Sequence, residues 1–271
     1  MDVLIILKQH KGLLVVLVIG FLTYVVLHQL RKRKGSSTVF LPKTSAGYRE
    51  EVDNENVEMV PYQPPRYSQE DILKRSKDFL EEMMGRRSAR FFSSEAVPFE
   101  VIQNIICTAG TSPSGAHTEP WTFAILRTPE VKAELRAIVE AEEEVNYRQR
   151  MGHQWVADLE KFKTNWCKPY IQEAPYVIVV HGEAGEGGKK KHYYSEISVS
   201  IAVGLLLAAI QHAGLVTLTS TPLNAGPQIR RLLSRPANEK VHLLLPVGYP
   251  AADCLVPKLA RKPFHQISAL Y

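Results

Sequence analysis

The chain is short of several things that would assign it quickly. It has three cysteines, Cys107, Cys167 and Cys254, far apart and without a CxxC pair. That odd, scattered set excludes a disulfide framework and fits a reducing compartment. Neither GxGxxG nor GxxxxGK[ST] occurs, so the Gly-rich run from Gly182 to Gly188 reads as a surface loop rather than a nucleotide cradle. There is no zinc-ligand or helix-turn-helix spacing, and no basic stripe with interleaved aromatics, so nothing points to nucleic acid. The formal net charge of +5 is nearly accounted for by one block, Arg31-Lys32-Arg33-Lys34. Internal repeats are absent. Hydrophobic residues make up 45% of the chain, enough for an ordinary globular core.

What is present begins with an apolar run, Gly12 to Leu30, carrying no acid and no base other than His28. As a helix it would span roughly 30 Å, the thickness of a bilayer's hydrocarbon. The basic block follows it directly, against Lys8 and Lys11 before it, so the positive-inside rule places the rest of the chain in the cytosol. The expectation is a short leading segment (1–11), a single-pass anchor (12–30) and a basic, then Pro- and acid-rich linker (31–67). One domain of about 200 residues (68–271) follows, with a lid over about 140–170.

Helices are expected from Ser68, through a capping box and an apolar face of Ile72, Leu73, Phe79, Leu80, Met83 and Met84, with Gly85 as its C′ residue. Others are expected from Pro98 to Gly110 and from Thr128-Pro129-Glu130 into the acidic Glu140 to Glu144. Strands are expected at Trp121–Leu126, Tyr176–His181, Leu215–Ser220 and Val241–Gly248. The stretch Ile197–Ile210 is almost wholly apolar and reads as a central helix buried on all sides, part of it meeting another subunit. Tyr147 to Glu173 is sparse in apolar residues and suits a lid more than a core. The class is α+β, an α/β sandwich.

The stretch with most chemistry is Arg86-Arg87-Ser88-Ala89-Arg90, three guanidiniums and a hydroxyl within five residues. Arg forks match pairs of phosphate oxygens and stay charged at any working pH. Taken alone, the run reads first as a solvated basic turn. Glu143 and Tyr147 are four apart and share a helical face. By themselves they read first as a solvated face.

Together with Pro113-Ser114-Gly115-Ala116-His117-Thr118-Glu119-Pro120-Trp121, Thr164-Asn165-Trp166 with Lys168, and Thr217 to Asn224, these stretches resemble the iodotyrosine deiodinase family of nitroreductase-like flavoproteins. The arginine and PSG runs indicate the wider superfamily; the Glu-Tyr-Lys set narrows it. The resemblance implies FMN in a cleft between the subunits of an intertwined homodimer. It would place Arg86, Arg87, Ser88, Ala89, Arg90 and Arg261 on the flavin phosphate and ring edge. Ser114 would reach the flavin from the partner, with Thr219, Ser220 and Thr221 along the flavin. Thr221, donating to flavin N5, would be the catalytic residue, favouring one-electron chemistry. Glu143 would take the ammonium of an amino-acid substrate, Lys168 and Tyr147 its carboxylate, and the Ala116 N–H its phenolate. His117, with nothing in sequence to pair with it, reads as structural. The activity implied is reduction of 3-iodotyrosine and 3,5-diiodotyrosine to tyrosine and iodide, salvaging iodide for thyroid hormone synthesis. NADPH would be the ultimate reductant, through a separate reductase, and no metal is involved. A general nitro- or quinone reductase, and a membrane-tethered flavin- or halotyrosine-binding module without turnover, remain as alternatives.

Overall fold

A computed structural model describes residues 57–162, 164–184 and 192–271. The expected anchor, most of the linker, and the 185–191 part of the Gly-rich loop lie outside the described residues. Residues 66–271 form one compact unit.

Its centre is a four-stranded antiparallel sheet in the order β1-β2-β4-β3, with β1 Trp121–Leu126, β2 Tyr176–Glu183, β3 Val216–Thr217 and β4 Glu239–Gly248. The run Tyr176 to His181 is apolar at nearly every position because both faces of β2 are covered. Side chains alternate along a strand. Tyr176, Ile178 and Val180 therefore join one core, while Val177 and Val179 join the other. The first core is closed by α2 (Phe99–Gly110) and α6 (Ser195–His212). The second is closed by α3 (Pro129–Val145), α5 (Tyr170–Glu173) and α7 (Gly226–Leu232). A helix–sheet–helix sandwich results. The remaining helices are α1 (Gln69–Met84), α4 (His153–Glu160) and α8 (Phe264–Ile267).

Between β2 and β4 the ladder slips: Val180 faces Leu243, but His181 faces Val241, so His242 bulges out. The extra residue turns Val241 to the second core while Leu243 stays with the first. Gly182 fits tightly beside the bulge, where a Cβ would meet His242 Nε2 at 2.5 Å and displace that ring. His181 itself is fully buried, and burial pushes its pKa down from 6.5 to about 4, against the pull of Glu239. Glu239 Oε2 lies 3.2 Å from His181 Nδ1 without hydrogen-bond alignment, and Arg235 engages both oxygens of that carboxylate. The folded value is below the unfolded one, so the neutral ring stabilises the fold fully above about pH 6.5. That contribution is lost as pH falls towards about 4. It corresponds to at most about 3 kcal/mol. The urea midpoint is expected to fall on acidification from neutrality to about pH 4.5, and His181→Leu to flatten that fall; an unchanged profile in the variant would remove this histidine from the cause.

Several expectations change on contact with the structure. The Ser68 hydroxyl caps α1 as expected, accepting from the Asp71 N–H at 3.1 Å. Yet α1 buries no residue, and Ile72, Leu73, Phe79, Leu80 and Met84 are exposed. Gly85 is the cap itself, with right-handed φ of −71°, its N–H turned back to the Glu81 and Glu82 carbonyls. The central helix is not buried on all sides. Val199, Ala202, Val203, Leu206 and Ile210 face the sheet, whereas Ile197, Ile201 and Leu205 are exposed. Among the described residues α6 is long and apolar enough to cross a membrane, but its packed face makes it a core helix. The strand expected over Leu215–Ser220 shortens to Val216–Thr217, with Ser220 rejoining Leu244 through a two-bond bridge.

Candidate active site

The arginine turn is tied to the sheet edge. The Ala89 N–H donates to the Thr217 carbonyl at 3.1 Å, and Ser88 bridges Thr217 in parallel fashion. This alternation divides the turn. Ala89 is buried, while Arg86 and Arg87 are half-buried on the same flank as Arg261. Among the described residues, neither Arg86, Arg87 nor Arg261 has a carboxylate or other side-chain partner, and Arg87 Nη2 is buried without any. Burial, then Arg261, then Arg87 lower the pKa of the Arg86 guanidinium. Three mutually repelling guanidiniums, one with an unpaired buried nitrogen, are chemically suited to a dianion. Arg90 is set apart. Its charge acts on Tyr147, Lys168 and Tyr170 instead, so the arginines fall into two groups.

The second group is built where α3 ends. Asn146 to Arg150 form a π-helical turn that carries Asn146 and Tyr147 inward. Glu143, on the last turn of α3, is 7% exposed and Lys168, just before α5, 4%. Lys168 Nζ lies 3.3 Å from Glu143 Oε2, donates to the Asn165 carbonyl at 2.5 Å, and sits 5.4 Å from the centre of the Tyr147 ring. The Lys168 N–H donates to Glu140 Oε1, which also holds Arg136. Burial lowers the Lys168 pKa while Glu143 opposes. Burial, helped by Glu143 and opposed by Arg90, pushes the Tyr147 phenol up to about 12. The stretch expected as a lid is therefore divided. Its ends, at Tyr147 and at Lys168, Tyr170 and Ile171, are buried, while α4 between them buries nothing.

The hydroxyl run borders this clamp. Thr219 and Thr221 are exposed, and Ser220 is held by paired backbone bonds to Leu244. Tyr170 donates its hydroxyl to Ser220 Oγ at 3.4 Å, and burial, opposed by Ser220 and Arg90, pushes its pKa up to about 12. Sequence reasoning did not single out Tyr170; its place two residues after Lys168 was the available signal.

Ser114 and Ala116 stand elsewhere. Their loop is strained: Ala116, His117 and Glu119 all have left-handed φ, of 49°, 52° and 42°, each costing about 1–2 kcal/mol. Ser114 Oγ accepts the Glu119 N–H at 3.0 Å, Ser198 Oγ accepts the Gly115 N–H at 3.3 Å, and a Cβ on Gly115 would meet the Tyr194 ring at 2.4 Å. This anchors the loop near the start of α6. The arginine turn is tied near its end, through Gln211 and His212 to Glu82. From Ser198 to Gln211 the helix rises roughly 20 Å. Within one chain, the PSG loop and the arginine turn thus lie at opposite ends of α6.

Residues 83–249 match the model of the Nitroreductase family. Iodotyrosine deiodinase 1 of Homo sapiens is 58% identical over 217 residues, covering 79% of this chain and 75% of the relative. The iodotyrosine deiodinase of Hydra vulgaris is 60% identical over 214 residues, covering 78% and 79%. The crystal structure of oxidized iodotyrosine deiodinase bound to FMN and 3-iodo-L-tyrosine superposes with a TM-score of 0.61 at 30% identity, over 68% of this chain and 95% of that one. A nitroreductase with bound FMN from Bacteroides fragilis shares the fold at 20% identity, with a TM-score of 0.56 over 72% of this chain and 99% of that one. With its helix–sheet–helix sandwich and these relatives, the chain belongs to the nitroreductase family and, within it, to the iodotyrosine deiodinases.

Proposed function

We propose that this protein is an FMN-dependent reductive dehalogenase that converts 3-iodotyrosine and 3,5-diiodotyrosine to tyrosine and iodide. The observation that carries the reading is the buried pairing of Glu143 with Lys168 beside Tyr147. An amino-acid zwitterion presents one ammonium and one carboxylate. Glu143 would take the first, Lys168 and Tyr147 the second, so one buried ion pair is exchanged for two and no charge is left uncompensated. A halophenol without that head group offers no such exchange, which separates this reading from a general nitro- or quinone reductase.

The residues fit FMN. Arg86, Arg87 and Arg261 suit its phosphate, with Arg87 Nη2 the atom most in need of an acceptor. Ser88, Ala89 and Arg90 continue towards the clamp, and Thr219, Ser220 and Thr221 border it. When bound, FMN supplies the two electrons that, with one proton, replace the carbon–iodine bond by carbon–hydrogen and release iodide. Thr221 is assigned to donate its hydroxyl towards the flavin, and the Ala116 N–H to hold the substrate as phenolate. Closure over 140–170 would exclude water.

A homodimer suits both the bare apolar face of α6 and the exposed one of α1. It would also bring the PSG loop of one subunit to the arginine turn of the other. The segment at 12–30 is assigned as a single-pass anchor, 31–67 as a linker, and the catalytic domain to the cytosolic side of a plasma or vesicle membrane. NADPH, through a separate reductase, is proposed as the ultimate reductant, and iodide salvage for thyroid hormone synthesis as the role.

Purified protein is expected to be yellow, to bleach with dithionite, and to reoxidise on anaerobic addition of diiodotyrosine with release of iodide. Colourless protein unable to take up FMN would end the proposal. Reoxidation by nitroaromatics but not by diiodotyrosine would favour the general reductase, and bleaching without iodide release a binding module.

A further inference from the structure

Asn146 is an amide buried to 0% exposure at the first position of the π-helical turn. Its Nδ2 donates to Glu143 Oε1 at 3.3 Å and to the Leu223 carbonyl at 3.1 Å. Its Oδ1 accepts from Arg150 Nη1 at 2.9 Å and from Asn224 Nδ2 at 3.1 Å. An asparagine amide has two donor hydrogens and two acceptor lone pairs, and all four are used. The network also fixes which way the amide points: a flip would set its NH2 against Arg150 and Asn224 and its oxygen against a carboxylate and a carbonyl. Asn224 reaches this position only by adopting a left-handed φ of 67°, a conformation asparagine tolerates better than most residues.

The consequence falls on Glu143. One carboxylate oxygen is held by Asn146, which leaves Oε2 for the cation opposite. Lys168 does not close fully on Glu143. Its shortest bond, 2.5 Å, goes to the Asn165 carbonyl, and the ion pair stays at 3.3 Å. The same amide joins the clamp to the loop carrying Thr221, through Leu223 and Asn224. π-helical turns recur at functional sites because the inserted residue re-aims its neighbours. Here the insertion turns Asn146 and Tyr147 together into the site.

We infer that Asn146 is a positioning residue for head-group specificity: its side-chain amide holds one oxygen of Glu143, aims the other at the substrate ammonium, and fixes both against the 219–224 loop. This rests on the function proposed above. It goes further in making discrimination between an amino acid and a bare phenol depend on a buried amide that acts through Glu143.

The test uses the full-length, FMN-loaded protein and calorimetric titration with two probes, 3-iodo-L-tyrosine and 2-iodophenol. Asn146→Ala is expected to weaken iodotyrosine binding about tenfold or more, while 2-iodophenol binding and FMN retention change by less than about twofold. Equal loss for both probes would mean general collapse of the site and would overturn the inference. So would no loss for either.

Asn146→Asp keeps the acceptors for Arg150 and Asn224 but removes the donors to Glu143 and Leu223. Held ionised by Arg150 and Asn224, the introduced carboxylate faces Glu143 without a donor, so iodotyrosine binding should fall at least as far as in the alanine variant while 2-iodophenol binding stays within about twofold. A loss shared equally by both probes, or no loss for iodotyrosine, would also overturn the inference, and this arm serves should the alanine variant fail to fold. Glu143→Gln is run in parallel. If it leaves iodotyrosine binding intact, the functional reading itself fails. If it weakens binding while Asn146→Ala does not, only the positioning role fails.

Discussion

Arg87→Met is expected to weaken FMN retention by roughly tenfold to a hundredfold and to raise the melting temperature of the flavin-free protein. The two effects have one cause. Arg87 Nη2 is buried with no hydrogen-bond partner, and its guanidinium bears on Arg86, which also faces Arg261. An unsatisfied buried donor costs about 1–3 kcal/mol, and an apolar side chain of similar length removes that cost. In a domain of this size, that is a gain of a few degrees. With a phosphate present, the same nitrogen makes a charge-assisted hydrogen bond of about 1.5–3 kcal/mol, which the variant forfeits. Most arginine-to-methionine exchanges at a structural site would lower stability. The measurements are fluorimetric FMN titration and thermal unfolding of protein stripped of flavin. Unchanged FMN affinity would remove Arg87 from the phosphate site, and a lower melting temperature would show that it supports the fold instead.

The arginine turn was legible because three guanidiniums in five residues stand out in any sequence. Its division was not. Whether Arg90 faces the phosphate or the clamp depends on Ser88 and Ala89 pairing with Thr217, a contact between segments far apart in the chain. The same limit cut the expected Leu215–Ser220 strand to two residues, since β-propensity reports what suits a pleated surface and not how long the partner runs. Most of β2 is legible because an unbroken apolar run of its length has few other uses in a sheet protein, but the strand continues through the buried Gly182 to Glu183, the start of the run expected as a surface loop. In α6 the apolar run is less telling. Apolar composition is the same whether a face meets the domain's own sheet or lies bare, and Ile197, Ile201 and Leu205 are bare. Glu143, Tyr147 and Lys168, singled out by the family resemblance, do lie together in the fold. The π-helical turn that brings Asn146 beside them has no signature in the one-dimensional pattern, because the preceding α-helical spacing gives no notice of the extra residue.

Removing either half of the buried clamp pair is expected to cost far more than removing both. Glu143 and Lys168 are each less than a tenth exposed and 3.3 Å apart. Breaking such a pair by deleting one partner leaves the other charge buried and uncompensated, at about 3–5 kcal/mol. Glu143→Gln and Lys168→Met should each lower the urea midpoint markedly, the second leaving the Glu143 carboxylate with only Asn146. The double variant should recover most of that stability, because neither charge remains to be solvated. Binding should follow a different order. Either single change removes one of the two charges offered to an amino-acid zwitterion, and the double change removes both, so iodotyrosine affinity falls about tenfold or more in each single variant and further in the double. Stability that returns while affinity does not would mark the pair as held for recognition. If instead the double variant is as unstable as the sum of the singles, the two charges do not compensate each other, and the exchange of one ion pair for two on substrate binding loses its physical basis.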